Sequence, residues 1–329
     1  MQETAVRADA PPETPEVASP RAPRKARIWN LAVILLPSAG IALLGWRHRA
    51  LSDDGLIFLR TVRQVLAGNG PVLNVGERSE ANTSTLWQWI LVIAGWLSPA
   101  DLGFTAVVGG LALTTLGIAV GLDATRRLYG GAGLRGGAGR YVLPAGVLVL
   151  FAVPPFWDFA TTGLDSGLGT FWLAGCWWLL VRSRTLHRPG DSAARHRGDR
   201  RTQWLLGTSA WLGLGPMVRP DMAVVSLTFF VALTVVTRPG WEITVLRLTA
   251  AAGLPLAYEF FRAGYYGVLM PLPGIAKEAS AGDPDRGLAY VVDFVTPYWL
   301  YAPLALGLAV LVVLLVGMTR ASRASDDGA

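Results

Sequence analysis

Long apolar blocks separated by short polar stretches make up most of the chain, and the length of the blocks decides what they are. A helix rises 1.5 Å per residue and a bilayer's hydrocarbon core is about 30 Å thick, so a spanning helix needs roughly 20 apolar residues. Runs of this kind are Ile28 to Trp46, Leu102 to Leu122, Tyr141 to Phe159, Leu164 to Val181, Trp204 to Val218, Met222 to Val236, Leu246 to Tyr265 and Pro297 to Val316. About eight spans are therefore predicted. A further apolar stretch, Thr85 to Ser98, is too short to cross. It carries Trp87, Trp89 and Trp96, a residue type that favours the headgroup interface, so it is expected in or beside the outer leaflet. The segment Ser52-Asp53-Asp54-Gly55 opens a helical pattern that runs to about Leu66.

Composition strengthens this picture: 52% of residues are hydrophobic and 16% charged, with Gly and Pro inside the apolar blocks, which speaks against a soluble domain. The expected class is an all-α membrane protein. Residues 1–27, rich in Pro, Ala, Glu and Arg without periodicity, read as a disordered tail. Residues 28–318 form the membrane domain, with an outer loop at 47–101, and residues 319–329 are a second tail. The first apolar run has no small-residue cleavage site, so it reads as a retained span rather than a signal peptide.

The net charge is +6, but the basic residues lie in loops and tails, so no nucleic-acid partner is expected. Their distribution reports topology instead. With a cytoplasmic N-terminus, about 20 basic residues fall inside, among them Arg7, Arg21, Arg24, Lys25, Arg27, Arg126, Arg127, Arg135, Arg140, Arg238, Arg247, Arg320 and Arg323, against about 9 outside. The single cysteine, Cys176, excludes an internal disulfide and supports no metal motif.

Four polar segments then fall on the extracytoplasmic side. Adjacent Asp53 and Asp54 repel, and near a low-dielectric surface such a pair suits acid, base or nucleophile chemistry; Ser52 or Asp53 also suits a helix cap. The stretch Gly68 to Thr85 has glycines and a proline for turns, and Asn74, Glu77, Glu80 and Asn82 offer partners for sugar hydroxyls, as would any solvated loop. Thr161-Thr162-Gly163-Leu164-Asp165-Ser166-Gly167 makes a short outer turn. Arg219-Pro220-Asp221 interrupts more than 30 apolar residues, and its guanidinium is a natural anchor for a lipid phosphate or one half of an interfacial ion pair. Lys277, one of only two lysines with Lys25, offers a second phosphate contact or a partner for Glu278.

In order and spacing these segments resemble the polyprenyl-phosphate-sugar-dependent glycosyltransferases of the GT-C type. Asp53-Asp54-Gly55-Leu56-Ile57 with Arg60, Leu66-Ala67-Gly68-Asn69-Gly70-Pro71-Val72, Gly76-Glu77-Arg78 and Glu80-Ala81-Asn82-Thr83-Ser84-Thr85 resemble the actinobacterial terminal β-(1→2)-arabinofuranosyltransferases. So do Val153-Pro154-Pro155, Phe159-Ala160-Thr161, Ser166-Gly167-Leu168, Val218-Arg219-Pro220, Gly264-Tyr265-Tyr266-Gly267 and Ala276-Lys277, from about Trp46 to about Pro303.

The resemblance implies a GT-C multi-span bundle whose outer loop carries juxtamembrane helices, in the plasma membrane with its active site facing the periplasm. It implies a pentosyltransferase with decaprenyl-phosphate arabinose as donor and the non-reducing ends of cell-wall arabinan as acceptor, with net retention. Asp53 and Asp54 would be catalytic. Arg60, Asn74, Glu77, Glu80, Asn82, Asp165, Arg219, Asp221 and Lys277 would bind substrate; no cofactor is expected and no metal-binding residue is assigned. A mannosyl or other pentosyl transfer is the alternative, or an inactive scaffold, since relatives of this type continue into a C-terminal region beyond Ala329.

Overall fold

A computed structural model of the chain describes residues 24–131, 144–186, 195–276 and 282–326. All regular structure among them is helical. The expected tail at 1–27 lies outside the described residues except for its last four, which begin α1 (Arg24–Arg47). Helices α2 (Asp53–Leu66) and α3 (Thr85–Leu97) follow, then α4 (Leu102–Gly131).

Two predicted runs are broken rather than continuous. The run from Tyr141 to Phe159 becomes α5 (Val147–Ala152), α6 (Pro154–Asp158) and a 3-10 turn, Phe159–Thr161. Pro154 and Pro155 lack the N–H groups that would continue α5 and instead start a new helix at its first turn. The run from Trp204 to Val218 likewise divides, at Leu214 and ahead of Pro216, into α8 (Arg195–Gly213) and α9 (Gly215–Val218). The remaining helices are α7 (Ser166–Leu186), α10 (Met222–Thr237), α11 (Trp241–Tyr266), α12 (Leu272–Ala276), α13 (Pro284–Val295) and α14 (Tyr301–Asp326). Helix α13, with its cap at Asp283, has no counterpart among the predicted elements, and α14 continues through the expected tail as far as Asp326.

Among the described residues, two helices are long and apolar enough to cross a bilayer, Ile28–Arg47 and Leu102–Tyr129. Only 22% of the first apolar window and 33% of the second are buried inside the protein, whereas the core helix of a soluble domain is mostly buried. Large apolar side chains such as Leu36, Val224 and Phe260 point outward, as they do in a helical membrane protein.

Contacts along the helices give their directions. Gly45 of α1 packs against Leu111 of α4 while Ile41 packs with Ile118 and Leu122, so the two are antiparallel. Helices α4 and α7 are parallel: Gly110 meets Gly167 near one end, and Asp123 accepts a bond from the Trp178 indole (3.0 Å) towards the other. At that first contact a Cβ on Gly167 would lie 2.2 Å from the Gly110 carbonyl oxygen, so only glycine lets the backbones approach so closely. Helix α8 runs antiparallel to α7, with Trp172 and Trp211 each donating to the other's carbonyl, and parallel to α11, where Ser209 meets Arg247 and Gly213 meets Ala251.

These directions sort the polar residues by end. The segments around Ser52, Thr162, Arg219 and Tyr266 share one end, while Arg126, Arg127, Arg201 and Arg238 lie at the other. Helix α3 stays at the first end: Trp87 bonds Gly163, and Gly95 touches Leu66 and Leu102. It does not run between the ends, in keeping with its shortness. Trp87, however, is a core residue, 1% exposed, while Trp96 is 78% exposed; only the latter has the setting expected for an interfacial tryptophan.

Candidate functional site

The acidic pair owes its placement to Ser52. The Ser52 hydroxyl accepts from the Gly55 N–H (3.1 Å) and so caps α2. The same residue donates twice to the Thr162 carbonyl, from its backbone N–H (3.0 Å) and from its hydroxyl (3.1 Å). The cap is therefore Ser52, and Asp53 and Asp54 are free of that duty. Both are exposed in the first turn of α2, and neither carboxylate bonds a protein group among the described residues.

The partner of this helix start is the turn from Thr161 to Asp165. Gly163 has φ +83°, a conformation costly for residues with a Cβ, and its carbonyl accepts the Trp87 indole N–H at 2.8 Å. Gly55 lies directly against the turn, where a Cβ would sit 2.1 Å from the Thr162 oxygen. Asp165 follows, only 3% exposed, with its Oδ2 lacking a hydrogen-bond partner among the described residues. Burial pushes the Asp165 carboxyl above the ordinary carboxylate range, with the charge of Arg219 pulling the other way. Arg219 donates from Nε to Asp221 Oδ1 at 3.1 Å and is half exposed, leaving the two terminal nitrogens of its fork without a bond among the described residues. Asp165, Arg219 and Asp221 thus form one electrostatic group beside the turn that carries the start of α2.

The long loop between α2 and α3 divides into two parts. At its tip Arg60 of α2 donates to the Leu73 carbonyl (2.9 Å) and to Asn74 Oδ1 (2.7 Å), and Asn74 donates to Glu77 (3.2 Å); Arg60 and Glu77 are exposed, Asn74 less so. Nearer α3 the loop is buried. Glu80 is 3% exposed and is bound by Arg262 (2.6 Å) and Tyr258 (2.8 Å) of α11. Asn82, 1% exposed, donates to Gln88 at 2.8 Å, leaving Asn82 Oδ1 and Gln88 Nε2 without a partner among the described residues. Lys277 lies outside the described residues.

Sequence reasoning missed Tyr258, Arg262, Gln88 and the core role of Trp87. A signal for the first two was present: Glu259 and Arg262 interrupt the run from Leu246 to Tyr265, and ionisable residues within a span mark a functional or paired position. Trp87 and Gln88 gave no comparable signal, because both sit in a stretch whose apolar content alone was informative.

Chemically, the end of the bundle combines an exposed carboxylate pair on a helix N-terminus, a guanidinium fork backed by two carboxylates, and a polar loop. No family model matches the chain, and no solved structure matches it. Two curated relatives do: the terminal beta-(1->2)-arabinofuranosyltransferase of Mycobacterium tuberculosis, 41% identical over 280 residues, covers 84% of this chain and 43% of the relative. The protein of the same name from Corynebacterium glutamicum is 40% identical over 272 residues, covering 80% of this chain and 38% of the relative. The chain thus spans about two-fifths of the length of these relatives, and over some four-fifths of its own length it is similar to them in sequence.

Proposed function

We propose that the chain carries the donor-side catalytic centre of a membrane arabinofuranosyltransferase, moving arabinofuranose from decaprenyl-phosphate arabinose to the non-reducing ends of arabinan in a β-(1→2) linkage. The observation that carries this reading is the exposed pair Asp53 and Asp54, fixed through Ser52 and Gly55 to the turn that leads into the Asp165, Arg219 and Asp221 group. The relatives' names support the sugar and the linkage.

In the reaction the anomeric carbon loses its bond to the phosphate oxygen and gains one to the acceptor hydroxyl oxygen. The hydroxyl proton passes to a carboxylate, and polyprenyl phosphate leaves. One of Asp53 and Asp54 acts at the anomeric centre or on the acceptor hydroxyl, and the other orients the sugar. Arg219 presents its free fork to the departing phosphate, where charge develops in the transition state. Lys277 adds a second cation, and Asn74 and Glu77 face sugar hydroxyls, while Asn82, buried against Gln88, holds the loop to α3. Arg60 holds Leu73 and Asn74 through Nε and Nη2 and has Nη1 left for the phosphate. Glu80 supports the loop rather than touching the sugar.

The chain spans the plasma membrane several times with this end in the periplasm. The gathering of Arg126, Arg127, Arg201 and Arg238 at the opposite end supports that orientation. Transferase assay of Asp53→Asn and Asp54→Asn in membranes, with a panel of polyprenyl-phosphate sugars and a synthetic arabinan acceptor, tests the reading. Loss of arabinose transfer at normal expression is expected. Near-normal turnover by both variants would refute it, and preference for mannose or another pentose would reassign the donor.

A further inference from the structure

We infer that Arg262, together with Tyr258, is a positioning residue that fixes the loop between α2 and α3 relative to the acidic pair; its effect on sugar binding rests on the function proposed above. Glu80 receives three donors from α11: Arg262 Nε at 2.6 Å, Arg262 Nη2 at 3.3 Å and the Tyr258 hydroxyl at 2.8 Å. The remaining terminal nitrogen of Arg262 bonds Glu259, and Nη2 also reaches Thr85 at 3.5 Å. The side chains of Arg262 and Glu80 are 5% and 3% exposed.

A pair so buried is not explained by stability. Removing two charges from water offsets most of their attraction, and apolar replacements of similar shape are often as stable or more so. What the pair does provide is a fixed geometry, because a planar fork bonding a carboxylate permits one orientation. The contacts around it act on the same loop. Tyr266 donates to the Pro71 carbonyl at 2.6 Å, Arg78 lies over the Tyr265 ring at 5.1 Å, the Tyr265 hydroxyl abuts Gly70, and the Leu272 N–H donates to the Glu80 carbonyl at 3.0 Å. All of them tie the loop to α11 or to the chain just beyond it. Across the loop, Arg60 holds Leu73 and Asn74 to α2, the helix that begins with Asp53 and Asp54.

The loop therefore bridges α2 and α11. Its α2 side is held by exposed hydrogen bonds that water competes for, and its α11 side by a buried pair. Arg262 sets where Asn74 and Glu77 stand relative to the two aspartates.

The test places a nitroxide label at Val75→Cys, 69% exposed at the loop tip, and a control label at Trp96→Cys, 78% exposed on α3. Both are made in a Cys176→Ala background in lipid nanodiscs. Arg262→Lys keeps the charge and loses the fork, Tyr258→Phe removes one bond, and Arg262→Leu removes the pair. Faster label motion at Val75 is expected in all three, greatest in Arg262→Leu, with motion at Trp96 unchanged. In the transferase assay, Arg262→Lys is expected to raise the donor KM roughly tenfold while kcat stays nearly constant, with Tyr258→Phe intermediate.

Unchanged motion at Val75 in folded Arg262→Lys and Tyr258→Phe would overturn the inference, as would equal loosening at Val75 and Trp96, the mark of a merely stabilising pair. A fall in kcat at constant KM would overturn it as well. Should the parent chain transfer no sugar, the proposed function fails and label motion alone decides the role of Arg262.

Discussion

Gly55→Ala is the smallest change that separates the acidic pair from its support. The new Cβ would lie 2.1 Å from the Thr162 oxygen and 3.3 Å from the Gly163 Cα. Carbon and carbonyl oxygen approach comfortably no closer than about 3.3 Å, so α2 must retreat by roughly 1 Å. The obstacle is backbone, anchored by the Trp87 indole, and no side chain can rotate away. Retreat breaks the two bonds from Ser52 to Thr162, about 1 kcal/mol each, and adds overpacking of about 1–3 kcal/mol. Better helix propensity returns up to about 1 kcal/mol. The net loss is about 2–4 kcal/mol, a fall in apparent Tm on the order of 3–6 °C for a domain of this size. On the proposed function, a displacement of about 1 Å at Asp53 and Asp54 is expected to lower transfer on the order of 100-fold. Thermal unfolding in nanodiscs measures the first effect and the arabinan assay the second. Gly253→Ala, in open space on α11, is the control and should match or slightly exceed the parent in Tm. A Gly55→Ala protein that melts with the parent and transfers at the parental rate would refute the proposed contact between α2 and the turn.

Among the described residues Arg247, 0% exposed, hydrogen-bonds Ser209 and lies over the Phe230 ring at 4.8 Å, with two guanidinium nitrogens lacking a hydrogen-bond partner; Arg247→Met should raise the apparent Tm, and a fall of several degrees would mean that the guanidinium has a further partner in the membrane. Because the Asp165 carboxyl sits above the ordinary range, the native state binds more protons than the unfolded state in that window. Stability therefore falls as pH rises from the ordinary carboxylate range through the raised value. Asp165→Asn should abolish this slope and be more stable than the parent above it; a less stable variant at neutral pH would show the Arg219 attraction prevailing. Cys176 is fully buried, so maleimide should label it only after denaturation, and rapid labelling of the folded protein would contradict its packing between α7 and its neighbours.

The sequence made the helices legible where one physical signal dominated. Ser52 before a polar, periodic stretch marked the start of α2, and the shortness of Thr85 to Ser98 kept α3 at one end of the bundle. Counting alternating runs put the Asp53, Thr162 and Arg219 segments on one side, and in the structure those three segments share one end of the bundle. Hydrophobicity alone could not locate the breaks at Pro154 and Leu214, since it averages over residues whose backbone N–H groups decide continuity. Nor could it tell an exposed carboxylate from a buried structural one. Glu80 and Glu77 look alike in a polar loop, and only the presence of Arg262, 182 residues away in the chain, separates them.

The backbone contact between Gly110 and Gly167 leaves no side-chain cushion between α4 and α7. These two helices consequently shift as a single stiff plank, carrying the Asp165 corner with them.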